Sequence, residues 1–204
     1  MCIIIVKPSG VELPSDNLLR AAAAVNRDGC GFMTDDGVVY HALYRDLDLF
    51  LAVLRRCAPK EAAVAIHFRM ATHGSVSLKN CHPFTYRGEL FMMHNGVLPI
   101  ESRHDLTDSE IYLRRVGGRL ARHGLMSGEA ARLFDARGNR FAVLDAKRRH
   151  IALFGDFQTV GGVSFSNLRP FGGRKIVARG GRLDVASFDA APLARRMRPL
   201  YFGS

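Results

Sequence analysis

Runs of apolar residues and apolar residues at helical spacing divide the chain into recognisable elements. "CIIIVK", residues 2–7, reads as a buried strand. "SDNLLRAAAAVNRD", 15–28, reads as a helix, with Ser15 as the N-cap and four alanines behind it. "GCGFMTDDGVVYHAL", 29–43, reads as two strands joined at Asp36-Gly37, a strong hairpin signal. "DLDLFLAVLRRC", 46–57, predicts a second amphipathic helix, acidic in its first turn and basic in its last, as the helix dipole favours. "AAVAIHFRM", 62–70, and "ELFMMHNGV", 89–97, read as strands. "TDSEIYLRRVGGRLARHG", 107–124, predicts a helix that Gly117-Gly118 interrupts. "RFAVLDAKRRHIALFGD", 140–156, reads as a hairpin around a basic turn. "VGGVSFSN" and "RKIVARGGRLDVASF" add strands, and "APLARRMRPLYF" a short basic helix or tail. The mixed order suits two sheets with helices packed outside, since each apolar face needs a cover.

Composition narrows the class. The chain has 204 residues, 48% of them hydrophobic and 24% charged, which suits a single domain over 1–204 with a sizeable core. No internal repeat or low-complexity linker divides it. No apolar run approaches the roughly 20 residues that span a bilayer. The first apolar run meets Lys7 too soon for a secretory signal. The expectation is a cytoplasmic protein with no membrane partner. Cys2, Cys30, Cys57 and Cys81 form no CxxC pair and no metal-ligand spacing, so free thiols and no metal or cofactor are expected. The net charge of +10 comes mostly from arginine, in "RRVGGRLARHG", "DAKRRH" and "LARRMRPLYF". It fits a solvated surface, or a polyanion partner such as nucleic acid, a nucleotide-linked substrate or an acidic protein.

Four stretches carry candidate chemistry. Cys2 fits a strand as a small apolar residue. Once Met1 is removed, it also joins a thiol to a free α-amine, whose reference pKa near ~8 leaves it able to accept the thiol proton. In "HFRMATHG", Arg69 ends a strand where its fork can clamp a carboxylate, with Thr72 and His73 beside it as donors; a surface arginine before a glycine turn is the plainer reading. In "MMHNGV", Asn95-Gly96 is either a hairpin turn or an oxyanion hole built from the Asn95 amide and the Gly96 N–H. In "TDSE", Thr107 and Glu110 make a capping box, and Asp108 can face a substrate ammonium.

Taken in order, Cys2, "NRDGCGFM", "HFRMATHG", "NCHPF", "HNG" and "TDSE" resemble the glutaminase domain of class II glutamine amidotransferases, which are N-terminal nucleophile hydrolases. Typical members read close to "HTRWATHG", "NAHP", "HNG" and "SDTE". The matched stretch covers about the first 110 residues. The resemblance implies a small stand-alone form with an α+β, four-layer αββα sandwich. It makes Cys2 the nucleophile, its α-amine the base, and Asn95 and Gly96 the oxyanion hole. Arg69, Thr72, His73 and Asp108 would bind L-glutamine, with Arg69 on the α-carboxylate and Asp108 on the α-ammonium. The implied reaction is hydrolysis of the side-chain amide through a Cys2 thioester, releasing glutamate and ammonia.

Two departures stand out. Met70 replaces the family's usual aromatic residue, and the segment from Gly96 to Asp108 is short, which makes Asp105 the alternative acid. No synthetase fingerprint follows, so the ammonia acceptor is expected on a separate chain, with a nucleic-acid or nucleotide-linked acceptor as one option. The alternatives are a γ-glutamyl amide or isopeptide hydrolase without ammonia transfer, and a non-catalytic binding protein on the same fold.

Overall fold

A computed structural model describes residues 2–71, 75–101, 106–135 and 137–186. The chain is mixed α and β, with antiparallel sheets. Its elements are β1 (Ile3–Lys7), α1 (Asp16–Val25), β2 (Cys30–Thr34), β3 (Val39–Ala42), α2 (Leu47–Cys57), β4 (Val64–Phe68), β5 (Phe84–Tyr86) and β6 (Leu90–Asn95). They continue with α3 (Asp108–His123), α4 (Gly128–Leu133), β7 (Arg140–Asp145), β8 (His150–Phe154), β9 (Gln158–Val160), β10 (Val163–Phe165), β11 (Ile176–Arg179) and β12 (Arg182–Val185).

One sheet runs β3-β2-β4-β1-β10-β9, a second runs β5-β6-β7-β8, and β11-β12 is a separate hairpin. Three apolar clusters explain why "IIIV", "VAI" and "FAVL" are apolar without interruption. Ile3, Ile5, Ile66 and Phe68 pack with Leu18, Leu19, Phe50 and Leu54 of α1 and α2. Met92, Phe141 and Val143 pack with Leu113, Val116 and Leu120 of α3. Ile4, Val6, Met33 and Ala65 from the first sheet meet Met93, Ala142 and Leu144 from the second. Both sheets are therefore covered on both faces, so polar residues have no solvent face to occupy at every second position. Each fully buried Ile or Leu contributes about 1.5–3 kcal/mol relative to exposure.

Lys7 ends β1 wholly buried. Its ammonium donates to the carbonyls of Pro59, Lys60 and Ala62 at 2.9, 2.8 and 2.5 Å, tying the strand to the loop after α2. Burial pushes its pKa down.

Several sequence expectations change here. Asn95-Gly96 is not a hairpin turn: β6 pairs with β5 and β7, and the chain leaves it toward α3. Gly117-Gly118 does not break α3. A Cβ on Gly117 would come within 2.4 Å of the Tyr86 ring, so this glycine serves close packing of α3 on β5. The capping box is half made: Thr107 Oγ accepts from the Glu110 N–H, while the Glu110 carboxylate turns to Arg114. "VGGVSFSN" starts at the last residue of β9, folds at Gly161-Gly162 and continues as β10. The basic tail from residue 187 lies outside the described residues. No helix among the described residues is long and apolar enough to cross a membrane.

Candidate active site

Strand alternation sets the site. Ile4 and Val6 face the layer between the sheets, and period two puts Cys2 on that same face. On β6, Met93 faces that layer too, which carries Asn95 inward with it. Cys2 is half-buried and free. Its Sγ lies between the Met70 N–H, which donates at 3.4 Å, and the Met70 carbonyl, at 3.5 Å. The Cys2 carbonyl accepts from Asn167 Nδ2 at 2.8 Å. Burial pushes the thiol pKa up, opposed by the Met70 bond.

A cavity of about 50 Å³ opens at Cys2. Arg69, Gly96 and Asp108 share its wall, together with Met70, Asn80, His82 and His94. Arg69 is 4% exposed and donates to the Ser75 carbonyl at 3.1 Å; Asn80 Nδ2 donates to the same oxygen at 3.0 Å. Asp28 holds the chain beyond β4 by accepting the Ala71 N–H at 2.7 Å. Asp108 opens α3, where the helix dipole favours a carboxylate. It accepts the Leu98 N–H at 2.9 Å on one oxygen and the Ser109 N–H at 2.7 Å on the other.

Asn95 is fully buried. Its Nδ2 donates to Ser166 Oγ at 2.8 Å, and Oδ1 has no partner among the described residues. Ser166 Oγ also accepts the Ile4 N–H at 2.8 Å, so one hydroxyl ties the end of β6 to the start of β1. Gly96 follows, and a Cβ there would sit 2.2 Å from Asn139 Oδ1. That contact requires glycine whatever its chemistry.

Asn139 Nδ2 donates to the Arg137 carbonyl, which orients its amide; Oδ1 then accepts from His94 Nε2 at 2.7 Å. His94 Nδ1 lies 2.8 Å from Ser109 Oγ, the hydroxyl that also stands as a donor to Asp108 Oδ1 at 3.1 Å. Burial pushes the His94 pKa down, consistent with one proton on the ring.

Two glycines admit the 80–83 segment. A Cβ on Gly31 would meet the His82 carbonyl at 1.9 Å, and one on Gly29 would meet Cys81 Sγ at 2.3 Å. This brings His82 to within 4.3 Å of His67, ring to ring. Neither ring's nitrogens find a hydrogen-bond partner among the described residues. Burial, with Arg69 adding to it, pushes the His67 pKa down to about 3, and burial keeps His82 well below its ordinary value.

Cys2, Arg69, Gly96 and Asp108 thus meet on one wall, while Asn95, the residue before Gly96, is not part of that lining. Thr72, His73 and Asp105 lie outside the described residues. Sequence reasoning missed Ser166, Asn167, Ser109 and Asn139. "SN" at 166–167 ends a stretch noted only as a strand, and nothing local marks Asn139. Among the described residues no group of three His, Cys, Asp or Glu side chains is gathered to hold a metal.

No protein-family model matches the sequence, and no curated protein matches it. A solved structure is distantly similar. It is a glutamine phosphoribosylpyrophosphate amidotransferase from B. subtilis, complexed with ADP and GMP, at 14% identity and a TM-score of 0.46. The match covers 84% of this chain and 43% of that one, so the chain spans less than half that protein's length.

Many exposed cations near the site's outer helix are paired. Arg114 meets Glu110, Arg119 meets Glu129, Lys147 meets Glu89 and Arg148 meets Asp145. Much of the basic character of α3 and the β7–β8 turn is therefore balanced locally.

Proposed function

We propose that this chain is an N-terminal-cysteine amidohydrolase of the glutamine amidotransferase kind. It hydrolyses the side-chain amide of L-glutamine to glutamate and ammonia. The observation that carries the reading is the convergence of Cys2, Arg69, Gly96 and Asp108, from four distant stretches, on one cavity. A free amino acid presents a carboxylate and an ammonium, and Arg69 and Asp108 supply the complementary charges.

The burial of Cys2 favours the thiol, so the reaction needs a base at the sulfur. Removal of Met1 supplies one in the α-amine of the same residue. The amine takes the thiol proton, Sγ attacks the amide carbon, and the proton passes to the leaving ammonia. Water then hydrolyses the thioester. The Gly96 N–H and the second Asn95 amide hydrogen, the one not given to Ser166, stabilise the oxyanion. Thr72 and His73 belong to the substrate side by their place after Arg69.

We extend the proposal to the architecture: one domain over 1–204, with helix, sheet, sheet and helix layers as in N-terminal nucleophile hydrolases. The three apolar clusters support that order. The ammonia acceptor lies on a separate cytoplasmic chain, with a nucleic-acid or nucleotide-linked acceptor as one candidate.

The test is intact mass after incubation with a glutamine-mimicking electrophile, alongside glutamate release from glutamine. The expected result is loss of Met1, one label on Cys2, and release that Cys2→Ala abolishes. A processed chain that neither takes the label nor releases glutamate overturns the reading.

A further inference from the structure

A second cavity borders Cys2. It measures about 330 Å³, and its wall, largely carbon, is formed by Cys2, Met70, Gly96, Val97, Arg137, Gly138 and Asn139. Cys2, Met70, Gly96 and Val97 belong to both cavities, so the nucleophile stands at their junction. The two differ in chemistry. The smaller holds Arg69 and Asp108; the larger holds neither, and the Asn139 amide on its wall is already engaged by His94 and Arg137. Arg137, Gly138 and Asn139 also border a third cavity of about 590 Å³.

An amide cleaved at Cys2 has an acyl part and an amine part on opposite sides of the scissile bond. Arg69 and Asp108 fix the γ-glutamyl part in the smaller cavity. The amine then points into the larger one. Ammonia is about the size of a water molecule and leaves most of this space unfilled. A carbon-lined wall also gains by covering carbon.

We propose that this cavity is a leaving-group subsite and that the substrates include γ-glutamyl amides whose amine carries an apolar substituent. The inference rests on the reading of Cys2 as the amidohydrolase nucleophile. Atoms balance as in any amide hydrolysis: the γ-glutamyl C–N bond breaks, the amine leaves with the proton from the Cys2 amine, and water releases glutamate and restores the thiol.

The experiment compares kcat/KM for γ-glutamyl-benzylamide with that for glutamine on the Met1-processed chain, following glutamate release. Benzylamine and ammonia are similarly basic, so intrinsic reactivity does not bias the ratio. Gly138→Asn is measured in parallel. Gly138 has φ +77°, which asparagine tolerates, and a Cβ there meets nothing within 4 Å, so the change adds a polar group at the cavity wall. The expected result is a benzylamide value at least equal to that of glutamine, with the ratio falling at least fivefold in Gly138→Asn. Hydrolysis of glutamine with the benzylamide below its value, or a ratio that Gly138→Asn leaves within fivefold, overturns the subsite and leaves the glutaminase reading standing. Turnover of neither, with Cys2 unlabelled, overturns both.

Discussion

The nucleophile and the acid of the candidate site are held in opposite ways. Cys2 is fixed from afar: its sulfur by Met70, 68 residues on, and its carbonyl by Asn167, 165 residues on. Asp108 is fixed from nearby: by the N–H of Ser109 next to it and that of Leu98, ten residues back. The cavity thus joins a strand end, which exists only once the whole sheet has formed, to a helix start that carries much of its own geometry. Changes to distant packing should therefore disturb the nucleophile before they disturb the acid.

The largest expected effect tests the nucleophile. A chain extended at its N-terminus so that the Cys2 amine stays acylated should lose glutaminase activity as completely as Cys2→Ala, because the thiol keeps its proton. Full activity in the extended chain, measured as glutamate release, would remove the α-amine from the mechanism.

Next comes the acid. Asp108→Asn keeps an acceptor for the Leu98 N–H and removes the charge. KM for glutamine should rise about 10- to 100-fold, the loss of one charge-assisted bond, with kcat changed less. Glutaramate, which lacks the α-ammonium, should be hydrolysed equally by both forms. A selective loss on glutaramate would place Asp108 elsewhere in the reaction.

The third tests the ground beneath the nucleophile. His67 lies on β4 beside β1, and its folded pKa of about 3 is far below the ordinary 6.5. Between those values the unfolded chain binds the proton that the folded chain refuses, so stability rises with pH. Lowering the pH from 7 to 5 should remove about 2 kcal/mol through His67 alone. Urea titrations of the native chain and His67→Gln at both pH values check this; identical slopes would show that the buried ring does not act.

The smallest effect sharpens the comparison most. Ser166→Ala removes the hydroxyl that joins Asn95 to β1 and should cost about 1 kcal/mol of stability. Its larger consequence should be in kcat, about tenfold, with KM for glutamine unchanged, because an oxyanion donor acts on the transition state. A variant altered in stability alone would make Ser166 a fastener of the sheets and nothing more.

Local signals accounted for the elements whose causes are local. Ser15 caps α1 through the Leu18 N–H, Asp36-Gly37 turns β2 into β3, and Thr107 starts α3. The failures have non-local causes. Gly117-Gly118 looked like a break because the ring of Tyr86, which needs that space, comes from another strand. Asn95-Gly96 looked like a turn because the dipeptide does not report that the partner of β6 comes from residue 140 onward. β5 is three residues long, too short for a period to register.

From the sequence alone came the order of the elements and the caps, which follow from residue type and spacing and are properties of the chain. The resemblance of its motifs to class II glutaminase domains added Cys2 as the candidate nucleophile and Arg69 and Asp108 as the charged pair for an amino acid. Tertiary structure decided which face each strand turned inward, and so that Cys2 meets Arg69 and Asp108 at one cavity while Asn95 is not part of its lining. It also decided that Ser166 reaches Asn95 and Asn139 reaches His94, and that two chemically different cavities share Cys2. Those outcomes depend on strand pairing and on sheets stacking face to face, where the contacts lie far apart in the chain.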